Sequence, residues 1–246
     1  MAVIPSTVLV AHWPRFHFYI RELKQIYFIT GTDTGVGKTV LTVLFAQFLR
    51  GQNVNAIALK PICSGGRDDA RKISDALDDL LSLDEINPWY FRAPVAPLLA
   101  ARRENKRVKL SQVLAHIRAM QKRFDALLIE GAGGLLSPLG ENFNSRNLIT
   151  ALRATPVAVC PNRLGAVNQV LLALEALPKN LRVKTRVVLM LPLKPDVSAG
   201  TNGKLLAEFS NAKIVSLPWL GGNFAAARVF KNLRVRRTLE VLTSAF

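Results

Sequence analysis

The sequence predicts a single α/β domain in which a mostly parallel sheet is covered by helices on both faces. Short apolar runs alternate with helix-periodic segments from residue 25 to residue 217. A glycine-rich turn joins the first run to the first helical segment, as in a strand–loop–helix unit. With 246 residues, 50% of them apolar, the chain can bury one large core and has no room for a second full domain.

The elements follow in order. Residues 25–30 (QIYFIT) form a β-branched and aromatic run that stops at Gly31, and Leu41, Leu44, Phe45, Phe48 and Leu49 then recur at helical spacing up to Gly51. Residues 54–59 (VNAIAL) predict a second strand, ended by Lys60-Pro61 because proline lacks the ladder N–H. After Asp68-Asp69, a helix is predicted from Ile73, Ala76, Leu77, Leu80 and Leu81. Pro88, Pro94 and Pro97 mark an irregular stretch, and a helix near Ser111 follows with Val113, Leu114 and Ile117 on one face. Residues 126–129 (ALLI) predict a buried strand ending on Glu130. The rhythm continues with strands at 156–160, 186–191 and 214–217 and a helix at 166–177. In parallel sheets of this kind ligands bind beyond the carboxyl ends of the strands, the edge to which Lys38, Lys60, Asp69 and Glu130 belong.

Composition narrows the function classes. The formal charge of +16 attracts anions, yet its clusters (Arg102-Arg103, Lys106-Arg107, Lys122-Arg123 and residues 234–237) are dispersed and lack interleaved aromatics. They read as a solvated basic surface rather than a specific nucleic-acid site. Cys63 and Cys160 lack C-x-x-C spacing and read as free thiols of a reducing, cytoplasmic compartment. No apolar run approaches the roughly 20 residues of a membrane span, so no membrane association is expected. In residues 1–25 the basic positions Arg15 and Arg21 follow the apolar stretch, the reverse of a secretory signal. This segment reads as an extension upstream of a domain covering 26–246.

The sharpest motif is GTDTGVGKT at residues 31–39, whose G-K-T ending between strand and helix has the form of a P-loop. Its amides and the helix N-terminus suit phosphate, Lys38 suits the β/γ oxygens, and the Thr39 hydroxyl suits Mg²⁺. The usual spacing would put the first glycine at position 32, but that residue is Thr32 and the glycine stands at 31. Glu130 precedes Gly131-Ala132-Gly133-Gly134 at the sheet edge, where a second Mg²⁺ ligand is needed. Lys60 at the same edge calls for an anionic partner. Read locally, Asp69 is only a helix N-terminal carboxylate and Ser64 only a loop hydroxyl.

Taken together, residues 30–40 (TGTDTGVGKTV), 60–65 (KPICSG), Asp69-Ala70, Asn87-Pro88, 130–134 (EGAGG), Leu164-Gly165 with Asn168, and Pro218-Trp219-Leu220 resemble the dethiobiotin synthetase family over about residues 26–223. The shifted first glycine is shared with that family. The resemblance implies ATP- and Mg²⁺-dependent carboxylation and ring closure of 7,8-diaminononanoate with CO₂. It implies catalytic roles for Lys38, Lys60 and Thr34, and Mg²⁺ ligation by Thr39, Asp69 and Glu130. ATP contacts are implied for Gly35, Val36, Gly37, Lys38, Thr39, Val40, Asp69, Glu130, Gly131, Ala132, Gly133, Pro218, Trp219 and Leu220. Ser64, Leu164, Gly165 and Asn168 would contact the substrate, the last three from the neighbouring subunit of a homodimer. Two departures stand out: Gly35 replaces an acidic residue of some members, and Met190-Leu191-Pro192 occurs where members often carry an Asn that reads adenine. A cobyrinic-acid amidase or a nucleotide-dependent partitioning protein of the same superfamily is the alternative; neither would carry the K-P-x-x-S-G element.

Overall fold

The computed structural model describes residues 25–221 and 229–244; the expected extension falls outside them except for Gln25, which opens the first strand. Strand β1 (Gln25–Gly31) leads into helix α1 (Lys38–Gly51) and returns as β2 (Ala56–Leu59). A short strand β3 (Ile62–Ser64), helix α2 (Asp68–Ala76), the one-turn helix α3 (Leu83–Ile86) and strand β4 (Trp89–Phe91) follow. Helices α4 (Pro97–Arg103) and α5 (Leu110–Arg123) bring the chain to β5 (Ala126–Gly134). A small antiparallel pair, β6 (Pro138–Gly140) and β7 (Phe143–Asn144), then leads to α6 (Ser145–Leu152) and β8 (Thr155–Pro161). The last part contains α7 (Ala166–Glu175), α8 (Lys179–Arg182), β9 (Arg186–Met190), α9 (Asn202–Phe209), β10 (Lys213–Leu217) and α10 (Leu233–Thr243).

Six strands form one parallel sheet in the order β10-β9-β8-β1-β5-β2. The chain leaves β1 toward β2 on one side and later fills β8 on the other, so the loop after β1 sits where the strand order reverses. Alternation along the strands covers both faces, as predicted. Ala158 and Cys160 of β8 pack with Ala166, Val170 and Leu174 of α7 and Leu206 of α9. Val157 and Val159 belong instead to the main core, with Val235, Leu239 and Leu242 of α10. The predicted helical face Leu41, Leu44, Phe45, Phe48 and Leu49 is buried throughout, and Phe45 meets Tyr27 edge-on at 4.8 Å between ring centroids. Among the described residues no helix is long and apolar enough to cross a membrane.

Four expectations need correction. The strand expected to end on Glu130 continues to Gly134, which stays paired with Gly31 of β1. The helix after Asp68 ends at Ala76 rather than running on to Leu81, because Asp78 and Asp79 adopt positive φ, +53° and +50°. Leu77 and Leu81 still reach the core, whereas Leu80 is exposed. The second strand starts at Ala56, since Asn53 turns the chain at φ +62°. The proline-rich stretch holds a strand and a helix: β4 pairs in parallel with β3, and Pro97 occupies the first turn of α4, where its missing N–H costs nothing.

Helix α3 is short but firmly closed. The Ser82 hydroxyl accepts from the Glu85 amide at 3.2 Å, Glu85 Oε2 accepts from the Ser82 amide at 2.9 Å, and Arg123 Nη1 lies 2.6 Å from Glu85 Oε1. Hydrogen bonds from Arg123 and then Ser82 hold the Glu85 carboxyl at about 2, against 4.5 for an ordinary glutamate. A depressed carboxyl stabilises the fold above its unfolded value and loses that contribution as pH falls through its folded value. Glu85→Gln is therefore expected to be less stable at pH 7 by about 1 kcal/mol or less, since the pair is partly exposed and screened. Urea midpoints followed downward from pH 7 should show this gap closing between 4.5 and about 2; a gap constant over that range would contradict the assignment.

Candidate active site

The loop between β1 and α1 folds tightly on itself. A Cβ added at Gly31 would lie 2.6 Å from Val36 Cγ2, 3.0 Å from the Asp33 carbonyl oxygen and 3.2 Å from Lys38 Nζ, so the loop closes over position 31 and leaves no room for a side chain there. That crowding is a physical reason for a glycine at position 31. Gly37 caps α1 at φ +97°, leaving the helix N-terminus open toward the cleft. Lys38 is buried, and its Nζ donates to the Asp33 carbonyl at 2.8 Å.

Strand register brings the second lysine to the second acid. Leu59 of β2 pairs with Ile129 of β5, so Lys60, the first residue past β2, and Glu130, inside β5, sit at the same level of adjacent parallel strands. Lys60 Nζ donates to Glu130 Oε1 at 2.7 Å, with the residues 5% and 1% exposed. Lys60 also pairs with Asp69 Oδ2 from the first turn of α2, and the Thr39 hydroxyl donates to Glu130 Oε1 at 2.8 Å. Burial alone would lower the Lys60 pKa, but Glu130 and Asp69 outweigh it and hold it above the ordinary lysine value. Asp69 is likewise held down by Lys60 against the opposing effect of burial. Lys38 is pushed down, first by burial and then by the neighbouring charge of Lys60.

These groups line one cleft of 730 Å³. It gathers Thr34, Gly35, Gly37, Lys38, Thr39, Val40, Lys60, Ser64, Asp69, Glu130, Ala132 and Gly133, twelve of the residues singled out in the sequence. The Ser64 hydroxyl donates to the Val95 carbonyl at 2.6 Å, which ties it to the Pro94–Pro97 wall. Val36 and Gly131 are buried and do not line the cleft, and neither do Pro218, Trp219 and Leu220 after β10. Leu164, Gly165 and Asn168 stand apart at the exposed N-terminus of α7, where the Leu164 amide donates to Asp196 Oδ2 at 2.8 Å. Sequence reasoning missed Lys72, Cys63 and the Pro94–Pro97 wall as cleft-lining groups. For Lys72 a signal was available: it lies three residues beyond Asp69 on the same helix face.

Residues 25–222 match the protein family described as "AAA domain". An ATP-dependent dethiobiotin synthetase of Akkermansia muciniphila is 34% identical over 191 residues, covering 77% of this chain and 89% of that protein. Its counterpart in Anaeromyxobacter sp. (strain K) is 36% identical over 198 residues, covering 78% and 89% respectively. The chain belongs to the dethiobiotin synthetase family. The counterpart from Bacillus subtilis, at 31% identity over 197 residues, matches 78% of the chain and 85% of its own length. Among solved structures, a ParA family ATPase from Chlorobium tepidum aligns over 89% of this chain and 97% of its own, with a TM-score of 0.53 at 14% identity. The Aquifex aeolicus MinC:MinD cell division complex includes a chain with the same TM-score at 11% identity, aligned over 90% of this chain and 97% of its own. At those identities the likeness is one of fold, and it agrees with the parallel sheet predicted from the sequence.

The two lysines of this dethiobiotin synthetase family member differ in what their removal exposes. Lys60→Met strips the ammonium from a buried Glu130, a loss of about 3–5 kcal/mol for an ion pair broken on one side. Lys38→Met removes a charge whose partner is a backbone carbonyl, and should cost less than about 1.5 kcal/mol. Urea denaturation of both variants at pH 7 measures the contrast; equal midpoints would show that Glu130 does not depend on Lys60 for its charge balance.

Proposed function

We propose that this chain is an ATP-dependent dethiobiotin synthetase that joins CO₂ to 7,8-diaminononanoate and closes the cyclic urea while ATP becomes ADP and phosphate. The observation that carries this reading is the convergence of a P-loop lysine, Lys38, with the register-locked Lys60–Glu130 pair and Asp69 in a single cleft. In this reaction an amine of the substrate captures CO₂ as a carbamate, whose oxygen attacks the γ-phosphate of ATP. The second amine then displaces phosphate and closes the ring. Every stage concentrates negative charge on phosphoryl and carbamate oxygens, and positioned cations stabilise such charge more effectively than a dedicated base would. Lys38 and Lys60 are those cations. Thr34, exposed on the loop, and Ser64, on the cleft wall, supply hydroxyls beside the reacting groups.

Thr39, Asp69 and Glu130 are the residues that would hold Mg²⁺. They offer only oxygen donors, and Glu130 Oε2 is buried with no hydrogen-bond partner among the described residues, an orphan that suits a hard cation. When bound, Mg²⁺ neutralises phosphate charge. The rest of the reading is a cytoplasmic homodimer whose partner subunit presents residues 164–168 to the substrate carboxylate. The exposure of Leu164 at 81% and of Leu172 at 63% supports a surface of this kind.

Purified protein given diaminononanoate, bicarbonate and ATP should form the cyclic urea, and Lys38→Ala should lower kcat/KM by about 10²-fold or more. Absence of product with the wild-type chain would contradict the function, and near wild-type turnover in a folded Lys38→Ala would remove Lys38 from the mechanism.

Base selectivity should be weak. Met190 closes β9 with its thioether against Gly37, where an added Cβ would come within 2.9 Å of Met190 Cε, and sulfur is only a weak acceptor. ATP, GTP and CTP are expected to support turnover with kcat/KM values within about two orders of magnitude, the range that one missing directional contact covers. Kinetics with each nucleotide at saturating co-substrates measure this, and a preference of several thousandfold for ATP would contradict it.

A further inference from the structure

Lys60 leaves the sheet at an awkward place. Pro61 follows it and has no N–H, and the Lys60 carbonyl is buried beyond the end of the β2–β5 ladder, where no strand neighbour can satisfy it. The partner it finds is the side chain of Asn87, just past helix α3: Nδ2 donates to the Lys60 carbonyl at 2.7 Å. The Lys60 amide donates to the Ile86 carbonyl at 3.0 Å, so both backbone groups of the lysine are held by consecutive residues at the end of α3.

The other end of the same amide faces the acid side of the cleft. Asn87 Oδ1 accepts from Cys63 Sγ at 3.1 Å and from Arg67 Nε at 3.3 Å. Arg67 is the residue before α2, two positions from Asp69, and its Nη2 also donates to the carbonyls of Leu83 at 2.7 Å and Asn87 at 3.0 Å. The orientation of the amide is fixed by chemistry: a carbonyl can only accept and a guanidinium can only donate. Asn87 itself is 1% exposed and does not line the cleft.

We propose that Asn87 is a positioning residue of the reaction: its buried amide bonds at once to the Lys60 carbonyl and to Arg67 near Asp69, adding to the Arg67 contacts with Leu83, Asp84 and the Asn87 carbonyl that join the two segments. The inference rests on the reading that Lys60 serves the chemistry, and extends it to a residue that does not line the cleft. Only an amide meets the requirement. A carboxylate of the same shape keeps the acceptor for Arg67 but turns a second acceptor toward the Lys60 carbonyl, and a serine is too short to reach both.

Two measurements on Asn87→Asp test this, with Asn87→Ser carried in parallel should the first fail to fold. In steady-state turnover, kcat is expected to fall about 10- to 100-fold while KM for ATP changes little, because the phosphate loop is untouched. In ¹H–¹⁵N spectra of lysine ammonium groups, the slowly exchanging Lys60 signal, assigned by its loss in Lys60→Arg, should shift or vanish in a variant that remains folded. Retention of kcat within about twofold, or an unchanged Lys60 signal, would overturn the proposal. The spectra need no substrate: a wild-type chain that forms no cyclic urea would defeat the proposed function, while the ammonium signal would still decide the role of Asn87.

Discussion

The buried ion pair between Lys60 and Glu130 is the constraint around which the rest of the site is arranged. Each charge, taken alone out of water, would cost several kcal/mol, and even a well-made pair only offsets that cost. Well-packed apolar residues of similar volume in place of a buried ion pair often cost a fold nothing. Stability alone therefore does not account for the pair, in keeping with the role proposed for Lys60. Its surroundings hold it in place: the β2–β5 register sets the two residues level, Asp69 and Thr39 add further polar partners, and the closed turn of α3 holds the lysine from behind.

The cleft is thus close to charge-balanced before any nucleotide enters. Lys38 rests on the carbonyl of its own loop, and Lys60 rests on two carboxylates. Lys38 can exchange its carbonyl for phosphate oxygens without leaving a charge unpaired, whereas Lys60 can reach phosphate only while Glu130 and Asp69 keep a compensating positive charge. The interactions that hold the cleft together in isolation are the ones the proposed reaction would redirect, so preorganisation here means interchangeable partners at fixed positions.

Much of this was legible in the sequence because P-loop chemistry is written in contiguous residues. The turn at 31–39 and Lys60 before a proline could each be assigned to a strand end from local pattern alone, whereas Glu130, expected to end its strand, lies inside β5, which runs on through the glycines to Gly134. The level at which β2 meets β5 could not, since register depends on pairing across some 70 residues of chain, and so the direct contact of Lys60 with Glu130 was not foreseen. Lys60 called for an anionic partner, and the fold provides two, Glu130 and Asp69. The three-residue strands β3 and β4 were too short to show periodicity, and the paired aspartates that stop α2 read locally as helix surface. Asn87 was visible only as part of an Asn-Pro pair, because its work is done on a backbone carbonyl 27 residues away.

If Lys60 occupies the charge position that a divalent cation would otherwise compensate, metal and ammonium compete for the same carboxylates. The most direct measurement is electron paramagnetic resonance of Mn²⁺ titrated into nucleotide-free protein, wild type beside Lys60→Met. The account predicts feeble Mn²⁺ binding to the wild type without nucleotide and clearly tighter binding once the ammonium is removed, as the cation takes over the neutralisation of Glu130 and Asp69. Tight Mn²⁺ binding to the nucleotide-free wild type, unchanged in Lys60→Met, would contradict it.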